Sequence, residues 1–214
     1  MSDKKSVIRK LHLLLFATLI AGCSSSSDTV VKQYLLPTAV NETIKVDQPF
    51  KADLSQPYLV VRPVKLTAFL NGHGIVYQTS PNEIVQARYH QWANDLSEQL
   101  TQRIINELRN KQNISSKPLN YWPIAVNNLV NQSQADQLQI NLTQFNGNYQ
   151  GGASIQGEWQ LVNHDGKIIM VEPINMRTSL EADGYDALVD ALSDTLSKVT
   201  DRLASSLSAT APPK

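Results

Sequence analysis

The spacing of hydrophobic positions changes along the chain, and the change separates helices from strands. From about residue 89 to 110, and again from about 185 to 206, apolar side chains recur mostly every four residues, which places them on one face of an amphipathic helix. We therefore predict two helices. Their apolar faces are formed by Trp92, Leu96, Leu100, Ile104 and Leu108 in the first, and by Leu188, Leu192, Leu196, Val199, Leu203 and Leu207 in the second.

Between these helices the hydrophobic period falls to two, as in a half-buried strand. Leu138, Ile140 and Leu142 alternate with polar residues, and the same alternation runs from residue 153 to 161. A third strand is expected from 167 to 171, with an extension past a proline to 180 left open. The two residues at 146–147, Asn-Gly, and the four residues at 163–166, Asn-His-Asp-Gly, have the composition of chain reversals. The pattern predicts an antiparallel meander with one dry face.

The first part of the body is also extended. A short strand is expected at 34–36, and a β-rich run at 58–66 is broken by Pro63. Residues 71–74 are typical of a turn, 75–77 resume a strand, and 80–82 form another turn, so a hairpin-like pair is expected here. The predicted fold class is α+β, an antiparallel sheet made of the meander and the N-terminal strands, with two amphipathic helices covering one face.

The N-terminus has the pattern of a secretory signal that ends at the chain's single cysteine, Cys23. A basic segment precedes an apolar run at 11–20, and Leu-Ile-Ala-Gly leads directly into Cys23, as in the lipobox of bacterial lipoproteins. Two alternatives are a transmembrane anchor, for which the run is too short, and a plain signal peptide that leaves a free or intermolecularly paired thiol.

Lipidation would place a diacylglycerol on the Cys23 thiol and an acyl chain on its amine, and several chains anchor a protein stably. Ser24 follows the cysteine, where an aspartate would favour inner-membrane retention, so we expect the inner leaflet of the outer membrane, facing the periplasm. The expected organisation is a cleaved signal at 1–22, a lipidated tether at 23–33, a single domain at 34–206 and a flexible tail at 207–214. No intramolecular disulfide is possible with one cysteine.

Composition excludes several function classes. The chain has 19 Lys and Arg against 19 Asp and Glu and no basic run, so nucleic acid is not an expected partner. The four histidines, His12, His73, His90 and His164, are far apart, and none has a second ligand at metal-site spacing. We expect no metal, no other cofactor and no enzymatic activity.

Individual residues that resemble functional ones have plainer interpretations. Ser154 lacks the glycine-flanked pattern of a nucleophile elbow, which favours a solvent-facing strand serine. Trp92 and Trp159 lie on apolar faces and are expected in the core. Trp122 lies in a short run that can be either strand or exposed loop, and in the exposed case it is a candidate for partner contact.

Several segments together resemble a known family. They are the lipobox followed by residues 34–36, the stretch LVVRPVKLTAFLNGHGIVYQTSPNEI at 59–84, ARYHQWANDLSEQL at 87–100 and GEWQLVNHDGK at 157–167. The chain resembles the ABC-type transport auxiliary lipoproteins, specifically the paraquat-inducible protein C family, over nearly the whole mature sequence. The Gly-His-Gly at 72–74 is more glycine-rich than the family pattern, which affects the expected shape of that loop.

The resemblance implies an outer-membrane lipoprotein that docks an MCE-domain protein anchored in the inner membrane, in a system that moves phospholipid or related apolar molecules across the periplasm. It also implies a homo-oligomeric ring. Besides Trp122, the loop around His73 is a candidate contact. An alternative is a scaffold for an outer-membrane β-barrel or for envelope integrity, and a third is a lipoprotein hydrolase, which the missing catalytic residues disfavour.

Overall fold

The alternating segments of the sequence form the three longest strands of a large mixed sheet. The computed structural model of the protein describes residues 30–37, 56–114, 119–126 and 134–210. Within them, nine strands form one sheet and two long helices pack against it. The elements are β1 (Lys32–Tyr34), β2 (Tyr58–Val61), β3 (Lys65–Leu66), β4 (Gly74–Ser80), β5 (Glu83–Trp92), α1 (Leu96–Ile114), β6 (Trp122–Ala125), β7 (Asp136–Asn148), β8 (Gly152–Val162), β9 (Ile168–Ser179) and α2 (Tyr185–Ala209).

The predicted meander is confirmed, because β7, β8 and β9 pair antiparallel in chain order. The third strand continues past Pro173, which lies on the edge strand β9, where a missing backbone donor is tolerated. The first reversal was placed too early. Gly147 lies inside β7, and the chain turns at 149–151, with Gly151 at φ 83°. The second reversal is confirmed, since the Gly166 N–H donates to the Asn163 carbonyl at 3.0 Å.

Gly147 has a packing role instead of a turn role. A Cβ on Gly147 would lie 3.0 Å from Cδ2 of Leu188 on α2. An Asn-Gly pair is a strong turn signal from the sequence alone. Here the glycine lets a helix approach the strand, which only the tertiary structure reveals.

The N-terminal strands join the meander through parallel pairs. β2, β3 and β4 lie one after another along the edge of β7 that β8 leaves free, and all three run parallel to it. β6 pairs parallel with β2, and β1 pairs parallel with β5. The sheet is therefore antiparallel in its meander and mixed overall. The hairpin expected between the run at 58–66 and the strand at 75–77 is not formed. β4 instead pairs antiparallel with β5, which was not predicted as a strand, and the run at 58–66 pairs with β6 and β7.

The first helix begins later than its hydrophobic period indicates. Residues 89–92 belong to β5, and α1 begins at Leu96. Asp95 caps the helix, since its carboxylate accepts from the Glu98 N–H at 2.9 Å. Trp92 fits the four-residue spacing of α1 by coincidence, because it enters the core from the end of a strand. Its predicted burial is nevertheless confirmed, with 3% of the residue exposed.

The second helix matches its prediction closely. Leu192 and Leu196 lie at the centre of its buried face. The helix continues to Ala209, and Leu207 is fully buried, so the expected flexible tail from residue 207 is corrected. An apolar side chain at 207 extends the packing face by one more turn. Residues 211–214 lie outside the described part of the chain, as do the signal peptide and residues 23–29 of the tether.

α1 and α2 cover one face of the sheet, here called the inner face, and no helix of the described residues covers the other, the outer face. The core lies between the inner face and the helices, and Trp159 is packed in it as predicted. Cross-strand pairs such as Leu138 with Leu161 and Phe145 with Ile155 extend it along the meander. A second, smaller hydrophobic cluster lies on the opposite side of β2 and β6, comprising Val60, Trp122, Ile124, Ala135 and the partly buried Tyr58.

A bulge in β7 requires glycine on the neighbouring strand. The register of the β7–β8 pair shifts between Leu142 and Gln144. Opposite this shift, a Cβ on Gly157 would lie only 2.1 Å from the Asn141 carbonyl oxygen. The close approach of two backbones explains the glycine, and the bulge increases the bend of the sheet at this point.

Candidate functional site

The place where the membrane anchor would join the fold is the edge strand β1. Cys23 lies outside the described residues, and β1 begins at Lys32. β1 pairs with β5, and its end is held by the Ala93 N–H, which donates to the Tyr34 carbonyl at 2.8 Å.

An aromatic cluster fixes this strand to the rest of the molecule. The Tyr34 hydroxyl lies 2.9 Å from Nδ1 of His90. The His90 ring stacks on Tyr185 at 3.9 Å between centroids, and Tyr185 meets Tyr77 edge-on at 6.0 Å. These side chains come from β1, β5, α2 and β4. The cluster therefore joins the anchor-proximal strand to both layers of the domain.

Two tyrosines of the cluster are held protonated. Burial raises the pKa of Tyr34 to about 12, with further contributions from its hydrogen bond to Asp186 and the charge of that carboxylate. Burial also raises the pKa of Tyr185 to about 12, followed by the charge of and hydrogen bond to Tyr77. The hydroxyls are therefore neutral at physiological pH, which suits their role of holding β1 against β5 and α2.

His73 lies in an exposed loop before β4. Its carbonyl oxygen accepts from the Trp92 N–H at 2.7 Å, which ties the loop to the end of β5. Gly74 is required by crowding, because a Cβ there would lie 2.5 Å from the Ala87 carbonyl oxygen. Neither Gly72 nor Gly74 has a positive φ. The glycines thus serve a close approach of two strands, and the imidazole projects at the surface, where a contact is sterically open.

Trp122 is not in an exposed loop. It begins β6, and only 8% of the residue is exposed, so the expectation of an exposed tryptophan is corrected and the strand alternative holds. The Arg109 guanidinium lies 5.6 Å from its ring centroid, while Nε of the same arginine donates to the Pro123 carbonyl at 2.8 Å. Burial lowers the pKa of Arg109. Contact between Trp122 and a partner stays a prediction, since its cluster lies on the outer face.

The outer face of the meander consists mostly of amide side chains. Gln139 and Gln160 face each other across β7 and β8, with Gln160 Nε2 donating to Gln139 Oε1 at 3.0 Å. Two shallow hollows of about 170 and 380 Å³ share Asn141. The smaller is lined by Arg62, Pro63, Lys65, Gln139, Ile140 and Asn141, and the larger by Asn141, Thr143, Gln156, Gly157, Glu158, Ile174 and Asn175.

A buried polar network connects the two helices. Arg103 Nε lies 2.5 Å from Glu107 Oε1, and its Nη2 lies 3.1 Å from the Ser197 hydroxyl. Ser197 in turn donates to Glu107 at 2.8 Å, and Ser193 donates to the Pro37 carbonyl at 3.0 Å. Such a pair is costly to break once buried. The network fixes the helix pairing and the chain just after β1.

The remaining candidate chemistry is structural. Ser154 is buried and accepts from Asn148 Nδ2 at 3.0 Å, so the expectation of a solvent-facing serine is wrong. The Tyr121 hydroxyl donates to the buried Asp136 carboxylate at 3.0 Å, and burial, followed by that carboxylate, raises the pKa of Tyr121. His90 lies on β5, whereas His164 lies in the turn between β8 and β9. Across the described residues, no three His, Cys, Asp or Glu side chains come together as a metal site would require.

Sequence reasoning missed the aromatic cluster. Its members, Tyr34, Tyr77, His90 and Tyr185, are scattered along the chain, and their meeting depends on the parallel β1–β5 pairing, for which the sequence carries no local signal. No helix of the described residues has the length and apolar character needed to cross a bilayer.

The comparisons with known proteins agree with this architecture. The family model for the ABC-type transport auxiliary lipoprotein component matches residues 34–204, which is most of the described domain. The chain is 32% identical over 185 residues to the intermembrane transport lipoprotein PqiC of Escherichia coli K12, covering 86% of this chain and 90% of that protein. The PqiC of Shigella flexneri matches equally well.

Solved structures show the same fold. A crystal structure of an uncharacterized protein superposes with a TM-score of 0.64 at 25% identity, covering 83% of this chain and 98% of its own. Protein XCC0632 from Xanthomonas campestris superposes with a TM-score of 0.59 at 15% identity, covering 83% and 93%. The matched family is a transport auxiliary component and not an enzyme class. With family model, relatives and fold in agreement, the chain belongs to the ABC-type transport auxiliary lipoproteins and, among them, to the PqiC family.

Proposed function

We propose that this protein is an outer-membrane lipoprotein that docks an MCE-domain protein anchored in the inner membrane. Cys23 carries the diacylglycerol and the N-acyl chain, and the domain faces the periplasm. The system to which it belongs moves phospholipid or related apolar molecules between the two membranes. The protein's own part is attachment and docking, without catalysis, cofactor or nucleic acid.

The observation that carries this proposal is the likeness to PqiC. It runs over 86% of this chain and 90% of a relative described as an intermembrane transport lipoprotein. A match of that coverage spans nearly all of the described domain. The lipobox ending at Cys23 and the serine at position 24 support the anchor and its sorting to the outer membrane.

The shape of the surface supports docking of a protein partner over carriage of a lipid. Pockets that hold small ligands are usually enclosed and mostly apolar. The hollows of about 170 and 380 Å³ on the outer face are shallow and lined largely by amide and charged side chains. They suit contact with a protein surface better than enclosure of an acyl chain. We include the exposed loop at His73 in the docking surface, and a homo-oligomeric ring as the assembled state.

Labelling and fractionation test the anchor. Cys23→Ser should abolish palmitate labelling and leave uncleaved or periplasmic protein, because the acylated atom is lost. Ser24→Asp should shift the protein toward the inner-membrane fraction of a sucrose gradient, while Ser27→Asp adds the same charge farther along and serves as the control. Labelling that persists in Cys23→Ser would overturn the attachment at Cys23, and wild-type protein in the inner-membrane fraction would overturn the outer-membrane placement.

A further inference from the structure

An exposed apolar and cationic surface lies on the strand pair that joins the anchor segment to the fold. Val31 and Tyr89 each directly precede the parallel pair Lys32–His90, so they lie at the same end of β1 and β5. Val31 is 44% exposed, Tyr89 36% and Leu35 58%. Successive side chains of a strand point to opposite sides, so Val31 and Tyr89 project from one side of the β1–β5 edge and Lys32 and Arg88 from the other. Exposed large apolar side chains of this kind are typical of an interaction surface.

The charged side chains of the two strand segments that form this surface are positive. Lys32 and Arg88 are exposed, and the Arg88 guanidinium lies 5.4 Å from the centre of the Tyr89 ring. The segments 31–37 and 84–93 contain no Asp or Glu. Two exposed carboxylates border these segments. Asp186 interacts with Tyr34, and Asp95 lies two residues after the Ala93 N–H that donates to the Tyr34 carbonyl. The combination of tyrosine, aliphatic side chains and cations is suited to the headgroup region of an anionic bilayer.

The length of the anchor segment brings this surface within reach of a membrane. Residues 24–31 separate Cys23 from β1 and span at most about 29 Å when fully extended. A tether this short keeps the local concentration of membrane surface high, so a surface with weak affinity for lipid is enough to fix the orientation of the domain. A protein without a tether would need a much higher affinity for lipid.

We propose that Val31, Lys32, Leu35, Arg88 and Tyr89 form a membrane-contact surface for anionic phospholipid headgroups, which orients the domain with the β1–β5 edge against the bilayer. This inference rests on the proposed function, because it takes position 23 as the point of attachment. It assigns the edge to lipid contact and leaves the outer face of the meander and the far ends of the strands for a protein partner.

The test supplies the anchor independently of acylation. The mature chain with Cys23→Ser and an N-terminal hexahistidine tag is bound to nickel-chelating lipids in vesicles of phosphatidylcholine, with or without phosphatidylglycerol. Gln33→Cys then provides the sole thiol, on β1 beside the surface, for a polarity-sensitive dye. Asn175→Cys, exposed on β9, provides the control position. Quenching by lipid-borne quenchers reports contact.

We expect the dye at position 33 to be quenched on phosphatidylglycerol vesicles and the dye at 175 to remain in water. Arg88→Gln should lower the ratio of contacting to free orientations about fivefold, the effect of one cation near an anionic surface. Tyr89→Ser should lower it as well, and Tyr149→Ser, which removes a more exposed tyrosine elsewhere, should not. Equal quenching at 33 and 175, or no effect of Arg88→Gln and Tyr89→Ser, would overturn the surface. Palmitate labelling decides the anchor separately.

Discussion

The two faces of the sheet are made by the same strands and have opposite properties. In β7, Leu138, Ile140 and Leu142 point to the inner face and are at most 2% exposed, while Gln139 and Asn141 between them point outward. The inner face is closed by α1 and α2. The outer face carries amides, shallow hollows and one small hydrophobic cluster. The inner face therefore carries the main core, and most of the outer face is available for contacts.

Trp122 sharpens this comparison, because it is a buried residue on the outer face. Trp122→Ala should cost about 3 to 5 kcal/mol of unfolding free energy, since it removes the largest member of its cluster. Chemical denaturation measures the change. Tyr149→Ala, at an exposed aromatic, is the control and should change little. A Trp122→Ala protein as stable as wild type would mean that the outer-face cluster contributes nothing to the fold.

Leu192 tests the inner face at its centre. The residue is fully buried in α2, so Leu192→Ala should leave a cavity and cost about 2 to 5 kcal/mol. Because domains are stable by roughly 5 to 15 kcal/mol, we expect a lower melting temperature and lower abundance in cells. Asp190→Ala on the exposed side of the same helix is the matched control. If the two variants have the same melting temperature, α2 does not cover the sheet as described.

Adjacent positions of β7 compare the faces directly. Ile140→Ala should destabilise by about 2 to 5 kcal/mol, whereas Gln139→Ala removes one partly exposed amide hydrogen bond and should cost about 1 kcal/mol or less. Denaturation of the two variants side by side gives the difference. Similar losses at 139 and 140 would show that the outer face is buried in the protein in solution.

The aromatic cluster gives a pH-dependent effect that is absent at neutral pH. The pKa of Tyr34 is raised from 10.0 to about 12, so an unfolded chain loses this proton first as the pH rises. Its contribution to stability is complete below pH 10 and is lost between about pH 10 and 12. Tyr34→Phe should therefore show a shallower decline in unfolding free energy across that range. If the unfolding free energies of the wild type and of Tyr34→Phe decline in parallel, Tyr34 does not contribute to the pH dependence of stability.

The sequence predicted those elements whose signals are local. The meander and α2 follow from the alternation at 138–142 and the long apolar stripe that includes Leu192 and Leu196. The start of α1 was misplaced, since Trp92 lies in register with the helix face although Asp95 caps the helix three residues later. Gly147 was misassigned for a similar reason, because its need to admit Leu188 is visible only in the packed structure.

The candidate site was predictable only in part. The anchor at Cys23 and the exposed loop at His73 rest on local sequence, whereas the burial of Trp122 and Ser154 depends on which strands become neighbours. Parallel pairs such as β1 with β5 join segments far apart in the chain and leave no local pattern. The membrane-contact surface, which needs Val31 beside Tyr89, could not be found without that pairing.

The central claim is that this lipoprotein docks an MCE-domain protein, and affinity purification with native mass spectrometry tests it most directly. A tagged, acylated chain is purified from detergent-solubilised envelopes, and the partner and the stoichiometry are read from the same spectrum. We expect an inner-membrane-anchored MCE-domain protein bound to several copies of this chain, at a fixed ratio. Recovery of an outer-membrane β-barrel in its place, or of this chain alone under conditions that preserve envelope complexes, would contradict the account.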